Sequence, residues 1–321
     1  MLCELCPRGC TLREGSRGVC KVRAVVAGQL QTLVHGRVSA LHLDPVEKKP
    51  LYHFLPGTKV LSVGTAGCNA RCLNCQNWEL AQAKPEEIAG EWSRPEQLVA
   101  MALESGAAAI AFTYNEPTIF AEYAMEVADA AHEAGLRTIA VSNGLIESRA
   151  AEELYGRMDA VKIDLKGFTE GFYRQVVGLR MAPVLQSIQR VARSASWLEL
   201  VTLLIPGMND SDREIAQLCQ WVADEVGPEV PLHFSRFHPA WQLMNVAATP
   251  EATLDRAHAL ASAAGLRHVY VGNLPSHPYK KSYCPDCGAL VIDRGAHGVV
   301  ASGMKAGQCN QCNRTIAGVW Q

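Results

Sequence analysis

Twelve cysteines stand at 3, 6, 10 and 20, at 68, 72 and 75, alone at 219, and at 284, 287, 309 and 312. In a reducing cytosol, cysteines clustered this way serve more often as metal ligands than as disulfides. Two-residue spacings let both thiolates of a short turn face one point, so both ends of the chain read as small metal-dependent folds. The middle set, CxxxCxxC, is the exception. It offers three ligands where a structural zinc requires four. Either a remote residue such as Cys219 completes the set, or one coordination position stays open. Cys219 lies between Leu218 and Trp221 in a helical stretch and reads more simply as a buried apolar thiol.

Between the terminal cysteine sets the sequence alternates apolar runs with amphipathic stretches. Lys59–Val63, Ala108–Phe112, Arg137–Val141, Ala160–Leu165, Trp197–Ile205 and Leu232–Phe237 read as strands, and His268–Val271 as a seventh. Pro95–Ser105, Thr118–Ala134, Ser148–Tyr155, Ala182–Ala195, Ser211–Val226 and Pro250–Ala264 read as helices. The first opens on Ser93-Arg94-Pro95-Glu96, with proline in the first turn. This α/β repeat demands parallel strands, hence a partial (β/α)6-type barrel or an open parallel sheet. The expected division is residues 1–50 as a Cys-rich N-terminal module, 51–275 as the barrel, and 276–321 as a zinc-ribbon or rubredoxin-like module. Neither end is large enough to build a full core without a metal.

The three-cysteine loop Cys68-Asn69-Ala70-Arg71-Cys72-Leu73-Asn74-Cys75 follows directly on the first barrel strand. Ligand sites gather at that edge in parallel α/β folds. A 4Fe-4S cluster held by three thiolates keeps one iron without a protein ligand, open to the amino and carboxylate groups of S-adenosylmethionine. CxxxCxxC after the first strand resembles the signature of the radical S-adenosylmethionine superfamily. Leu41–Phe54 (LHLDPVEKKPLYHF), Cys68–Trp78 (CNARCLNCQNW) and Phe112–Thr118 (FTYNEPT) narrow the likeness to the AmmeMemoRadiSam-type enzymes, relatives of pyruvate formate-lyase activating enzyme. The resemblance spans nearly the whole chain. It implies reductive cleavage of S-adenosylmethionine to a 5′-deoxyadenosyl radical, with the chemistry supplied by the cofactors.

The resemblance also implies roles for residues elsewhere. Glu116, in Tyr114-Asn115-Glu116-Pro117, is similar in position to the carboxylate that binds the cofactor's amino group, although an acid there would also suit the start of a helix. Ser142 and Asn143 end the third strand. Asp164 and Lys166 share one face of the fourth and resemble an Asp-x-Lys pair whose lysine contacts the cofactor carboxylate, or form a plain ion pair at the rim. His238 follows the sixth strand where the family has a histidine near the cofactor. Two positions depart from the pattern: Asn74 replaces a frequent aromatic, and Val141 stands where the activating enzymes carry an acid. Asn209-Asp210 matches the family and equally suits a helix-capping turn.

Cys284, Cys287, Cys309 and Cys312 form two CxxC knuckles with the spacing of a zinc ribbon, and a rubredoxin-type iron would use the same geometry. Cys3, Cys6, Cys10 and Cys20 would hold zinc or an auxiliary iron–sulfur cluster. Lys+Arg 30 against Asp+Glu 32 gives no bulk electrostatic reason to expect nucleic acid or an anionic membrane. No apolar run approaches the roughly 18 residues of a membrane span, and the N-terminus lacks a signal-peptide core, so a cytoplasmic protein is expected. The expected partners are a flavodoxin- or ferredoxin-like electron donor and either a protein substrate or Memo-type or AMMECR-type proteins. Two rival readings stand: an activating enzyme for a glycyl-radical partner, and a metal-dependent binding module without turnover.

Overall fold

In the computed structural model, which describes residues 1–295 and 298–321, one open sheet of eight strands keeps the order of the chain. The strands are β1 (Ala40–Pro45), β2 (Lys59–Gly64), β3 (Ala109–Phe112), β4 (Arg137–Ser142), β5 (Ala160–Asp164), β6 (Trp197–Leu204), β7 (Leu232–Arg236) and β8 (Val269–Gly272). From β2 to β8 all pairs are parallel. Strands β2 to β5 are almost wholly buried, which is why they read as unbroken apolar runs. Six helices make the crossovers: α1 (Pro95–Glu104), α2 (Ala121–Glu133), α3 (Ser148–Tyr155), α4 (Met181–Ala192), α5 (Asp212–Glu225) and α6 (Glu251–Ala263). The partial (β/α)6-type barrel is therefore present, with the seventh parallel strand.

Helix α1 starts at Pro95, where the sequence reading places it, with Arg94 as its N-cap and Gln97 Oε1 accepting the Arg94 N–H at 2.9 Å. The edge strand β1 was not foreseen. It runs antiparallel to β2 in the register Asp44↔Val60, from within the stretch assigned to the N-terminal module. Arg37–Val38 likewise pairs with Glu91–Trp92. What precedes is a hairpin, Arg23–Val26 with Gln29–Thr32, and the loops that carry the first four cysteines.

The sheet separates two cores. Its outer face packs on the helices through residues such as Leu98, Val127, Leu154, Ile188 and Val222. The inner face is lined by Val60, Ala109, Ala111, Ile139 and Ala160, and Leu51, Phe54 and Leu55 of the β1–β2 connection close it from below. Each such large apolar side chain contributes about 1.5–3 kcal/mol by leaving water. The C-terminal module docks on the same base. Leu55 N–H donates to Val319 O at 2.8 Å, and Val319 N–H to His53 O at 2.7 Å. Arg294 donates to Tyr52 O at 2.6 Å and lies 4.1 Å over the Tyr52 ring.

Beneath the inner face sits a polar hub. Glu199, on β6, is fully buried and accepts from Tyr52 N, His53 N, Trp197 Nε1 and His233 Nε2. Burial alone would raise the Glu199 carboxyl, but these donors hold it below the usual carboxylate range. Burial also keeps His233 neutral, so the pair is a carboxylate accepting from an uncharged imidazole. His53 completes the link, joining Tyr270 OH at 2.5 Å and Ala317 O at 2.6 Å.

Candidate functional site

A cavity of about 300 Å³ opens at the C-terminal ends of the parallel strands. It is lined by Cys68, Cys72, Cys75, Glu116, Ser142, Asn143, Asp164 and Lys166, residues from four successive strand ends that the sequence reading had singled out separately. Asn74 and Val141 also line it, and Val141 leaves that part of the wall apolar. His238 is exposed and outside this lining, its Nε2 lying 3.4 Å from Asn273 O. Cys219 is buried in α5, where burial pushes its thiol up to about 12.

The three-cysteine loop is held by its backbone from several directions. Asn115 Nδ2 donates to Gly67 O at 2.8 Å. Arg71 N–H and Leu73 N–H donate to Val177 O and Val176 O, the last residues of a π-helical turn at Tyr173–Val177. Such turns recur at functional sites, and no sequence signal announced this one. Gly67 has φ +88°, and a Cβ there would meet Cys20 O at 2.5 Å, so only glycine fits where the N-terminal module presses on the loop. Arg8 joins the same three parts. Its Nε donates to Asn69 O at 2.6 Å and a terminal nitrogen to Gly178 O at 2.5 Å.

The side chains converge as strongly. Burial pushes the Cys68, Cys72 and Cys75 thiols up, Cys75 to about 11, so thiolates there need a bound cation to balance them. Cys68 Sγ accepts from Ala70 N–H at 3.4 Å, and Asn143 Nδ2 lies 3.9 Å away while bonding Asn69 Oδ1 at 2.8 Å. Glu116 Oε1 accepts from Thr118 N, Thr118 Oγ1 and Ser142 Oγ, whereas Oε2 accepts only from Asn143 N, at 2.7 Å. Burial raises Glu116 against those bonds. It thus caps the turn after β3, and Oε2, with a single donor, keeps room for one more in a residue that lines the cavity. Asp164 lies between two lysines: Lys166 bonds Oδ2 at 2.8 Å, and Lys162, which the sequence reading passed over, bonds Oδ1. Burial disfavours the Lys166 ammonium, but Asp164 and Cys72 outweigh it and hold its pKa above the ordinary lysine value. The cap of α5 is Ser211, whose side chain accepts from Glu214 N, and Asn209 has another task. Its Nδ2 donates to Lys166 O and Leu203 O, and its Oδ1 accepts from Ile205 N, so it staples the ends of β5 and β6.

The two terminal cysteine sets are separate from this cavity. Cys284, Cys287, Cys309 and Cys312 bring their sulfurs within 4.8 Å of one another, with 3.5 Å between Cys284 and Cys312 and 3.7 Å between Cys287 and Cys309. Zn–S bonds of about 2.3 Å set tetrahedral sulfur–sulfur edges of about 3.8 Å, so this group can hold a metal ion. Cys3, Cys6, Cys10 and Cys20 surround a smaller cavity of about 20 Å³, next to Asn69 of the three-cysteine loop. Burial lifts the Cys6 thiol to about 11, and each of the other three cysteines adds to the shift. Among the described residues no helix is long and apolar enough to cross a membrane.

Comparison with known proteins agrees with this geometry. Residues 62–219 match the family described as the Radical SAM superfamily. The chain is 41% identical over 292 residues to the uncharacterized protein MJ0808 of Methanocaldococcus jannaschii, over 91% of this chain and 87% of that one. It is 21% identical over 126 residues to the benzylsuccinate synthase activating enzyme of Thauera aromatica, over 39% of this chain and 38% of that enzyme. The structure of Streptococcus suis SuiB bound to S-adenosylmethionine superposes with a TM-score of 0.54 at 12% identity, over 75% of this chain and 56% of that one, a likeness of fold.

Proposed function

The chain belongs to the radical S-adenosylmethionine superfamily, and on that footing we propose that it cleaves S-adenosylmethionine reductively at a 4Fe-4S cluster and takes a hydrogen atom from a substrate. The observation that carries this reading is the meeting of three half-buried thiols, the Glu116 carboxylate and an Asp164–Lys166 pair in one cavity. Three soft donors with no fourth cysteine or histidine in the lining suit a cluster with one open iron better than a closed zinc site. When bound, the cluster and S-adenosylmethionine supply one-electron cleavage of a C–S bond and the 5′-deoxyadenosyl radical.

The protein's own part is holding and orienting. Cys68, Cys72 and Cys75 hold the cluster, and Asn143 steadies the loop through Asn69. Glu116 Oε2 accepts from the cofactor ammonium, a charge-assisted bond that also restores the ionised form burial disfavours. Lys166, kept protonated by Asp164, donates to the cofactor carboxylate. Within the superfamily the AmmeMemoRadiSam-type assignment draws support from all three signature stretches reaching the cavity, through Lys48 and Pro50, through Cys68 to Asn77, and through Thr113 to Glu116. The benzylsuccinate synthase activating enzyme favours a second reading, a protein substrate activated to a glycyl radical. Both need an electron donor of the flavodoxin or ferredoxin kind. Memo-type or AMMECR-type proteins are the partners the first reading names. We assign a metal ion, zinc or iron, to the C-terminal four cysteines, and zinc or an auxiliary cluster to the N-terminal four, which line one small cavity.

Anaerobic reconstitution with iron and sulfide, dithionite reduction and a 5′-deoxyadenosine assay test the reading, with iron and zinc counted in parallel. Nucleoside formed by the wild type and lost when Cys68, Cys72 and Cys75 are all changed to Ala supports it. Zinc at the central loop would refute it and favour a binding module without turnover.

A further inference from the structure

We propose that the cavity floor carries an anion subsite, built on Lys162 with Lys48 at its rim, that receives a carboxylate or phosphate group of the substrate; the word substrate rests on the radical-enzyme reading, the subsite does not. Lys162 lies on β5 between Val141 of β4 and Glu199 of β6, preceded by Ala160 and Val161 and followed by Ile163 and Asp164. It is 5% exposed, and it lines the cavity. An ammonium has three donors, and among the described residues the only hydrogen-bond partner of this one is Asp164 Oδ1.

A structural role does not account for it. Asp164 is already neutralised by Lys166, and an aliphatic side chain would match Val141 and Val201 in the same wall. Glu199, although directly across the ladder, has both oxygens occupied by Tyr52, His53, Trp197 and His233. The neighbourhood adds further positive charge. Asp44 is shared by Lys48 and Lys49 as Asp164 is by Lys162 and Lys166, so two carboxylates serve four lysines. Burial depresses Lys49, and Lys48 and Lys162 both add repulsion to the effect. Glu116 does not redress the balance, being committed to the turn after β3 and to a cationic ligand.

A buried ammonium with open donors, crowded by like charges, is stabilised by an anion that presents two oxygens. Lys166, the lysine turned to Cys72, is taken by the cofactor in the reading above. Lys162 stands four residues before it, about 6.6 Å below Asp164 on the same face of the strand, and so it is left for the second ligand.

The test uses the metal-loaded protein, anaerobic and without S-adenosylmethionine, titrated calorimetrically with inorganic phosphate and with glutarate at matched ionic strength. One anion should bind per chain, and the better of the two names the substrate's charged group. Lys162→Met should weaken binding by about ten-fold or more, Lys162→Arg should stay within about three-fold, and the exposed Lys84→Met should bind as wild type. Unchanged thermal midpoints and iron content in the three variants separate loss of the site from loss of the fold. Equal binding by wild type and Lys162→Met, or no stoichiometric binding of either anion, overturns the proposal. Since no cofactor is present, failure of the nucleoside assay and failure of this titration are independent results.

Discussion

Replacing Glu199 by Leu tests whether the base of the barrel depends on one buried carboxylate. Glu199 is fully buried and receives Tyr52 N at 3.0 Å, His53 N at 2.8 Å, Trp197 Nε1 at 3.1 Å and His233 Nε2 at 2.7 Å. Leucine has nearly the right volume but leaves four donors without an acceptor, three of them buried and Trp197 Nε1 part-buried. At about 1–3 kcal/mol for each buried orphan, the three sum to about 3–9 kcal/mol, and about 4 kcal/mol is a conservative expectation. Glu199→Gln keeps a carbonyl for the two backbone donors, and its amide can face His233 once the imidazole presents a lone pair, so about 1 kcal/mol is expected. In urea, with m of about 2.5 kcal/mol/M, the Leu variant should unfold about 1.5 M earlier than wild type and the Gln variant about 0.4 M earlier. The assay is tryptophan fluorescence of metal-loaded protein. A Leu variant within about 0.3 M of wild type, or a Gln variant as damaged as Leu, would show that the hub is not what secures the base.

Three further expectations follow from the same geometry. His53 is held down to about 3, by burial first and then by His268, and burial lowers His233 as well, so both are neutral in the fold while the unfolded chain protonates them below about pH 6.5. Stability should therefore be full well above pH 6.5 and fall by at least about 1.3 kcal/mol between pH 7.5 and 5.5, the share of His53 alone, and a flat series of urea midpoints would contradict this. Gly67→Ala should cost about 1–3 kcal/mol and cut iron retention, read by iron content after desalting, because its Cβ meets Cys20 O at 2.5 Å and φ is +88°. Arg8→Met should lower iron retention while leaving zinc content unchanged, since it frees Asn69 O and Gly178 O but keeps the backbone hydrogen bond from residue 8 to Cys6, and the lost side chain bonds neither four-cysteine set.

What the sequence disclosed and what it hid have physical reasons. Strands β2 to β7 are apolar runs because both of their faces are covered, and the cysteine spacings are local, so both could be read directly. Strand β1 could not, because it lies at the edge, mostly exposed, and reads Leu-His-Leu-Asp-Pro with no apolar run. Lys162 and Glu199 did leave a signal, a charge in the middle of an otherwise buried strand, in AVKID, which also ends on Asp164, and in WLELVTLL. Such a charge implies a buried partner, but not which one. Arg8 offered no signal at all, since its acceptors lie 61 and 170 residues away and are backbone carbonyls. His238 is near β7 in sequence, yet the turn after Phe237 carries it outward while Phe237 turns in.

Because spatial order and chain order coincide across the eight strands, each new strand finds its neighbour already made, and the sheet can grow as the chain is synthesised. The base cannot. Tyr52 waits for Arg294, 242 residues later, and His53 for Tyr270, 217 residues later. Until the last module has folded around its cysteines, the carboxylate hub stays open to water and the growing barrel lacks a floor. Closure of the base thus depends on the C-terminal module, which reaches Tyr52 through Arg294 and His53 through Ala317.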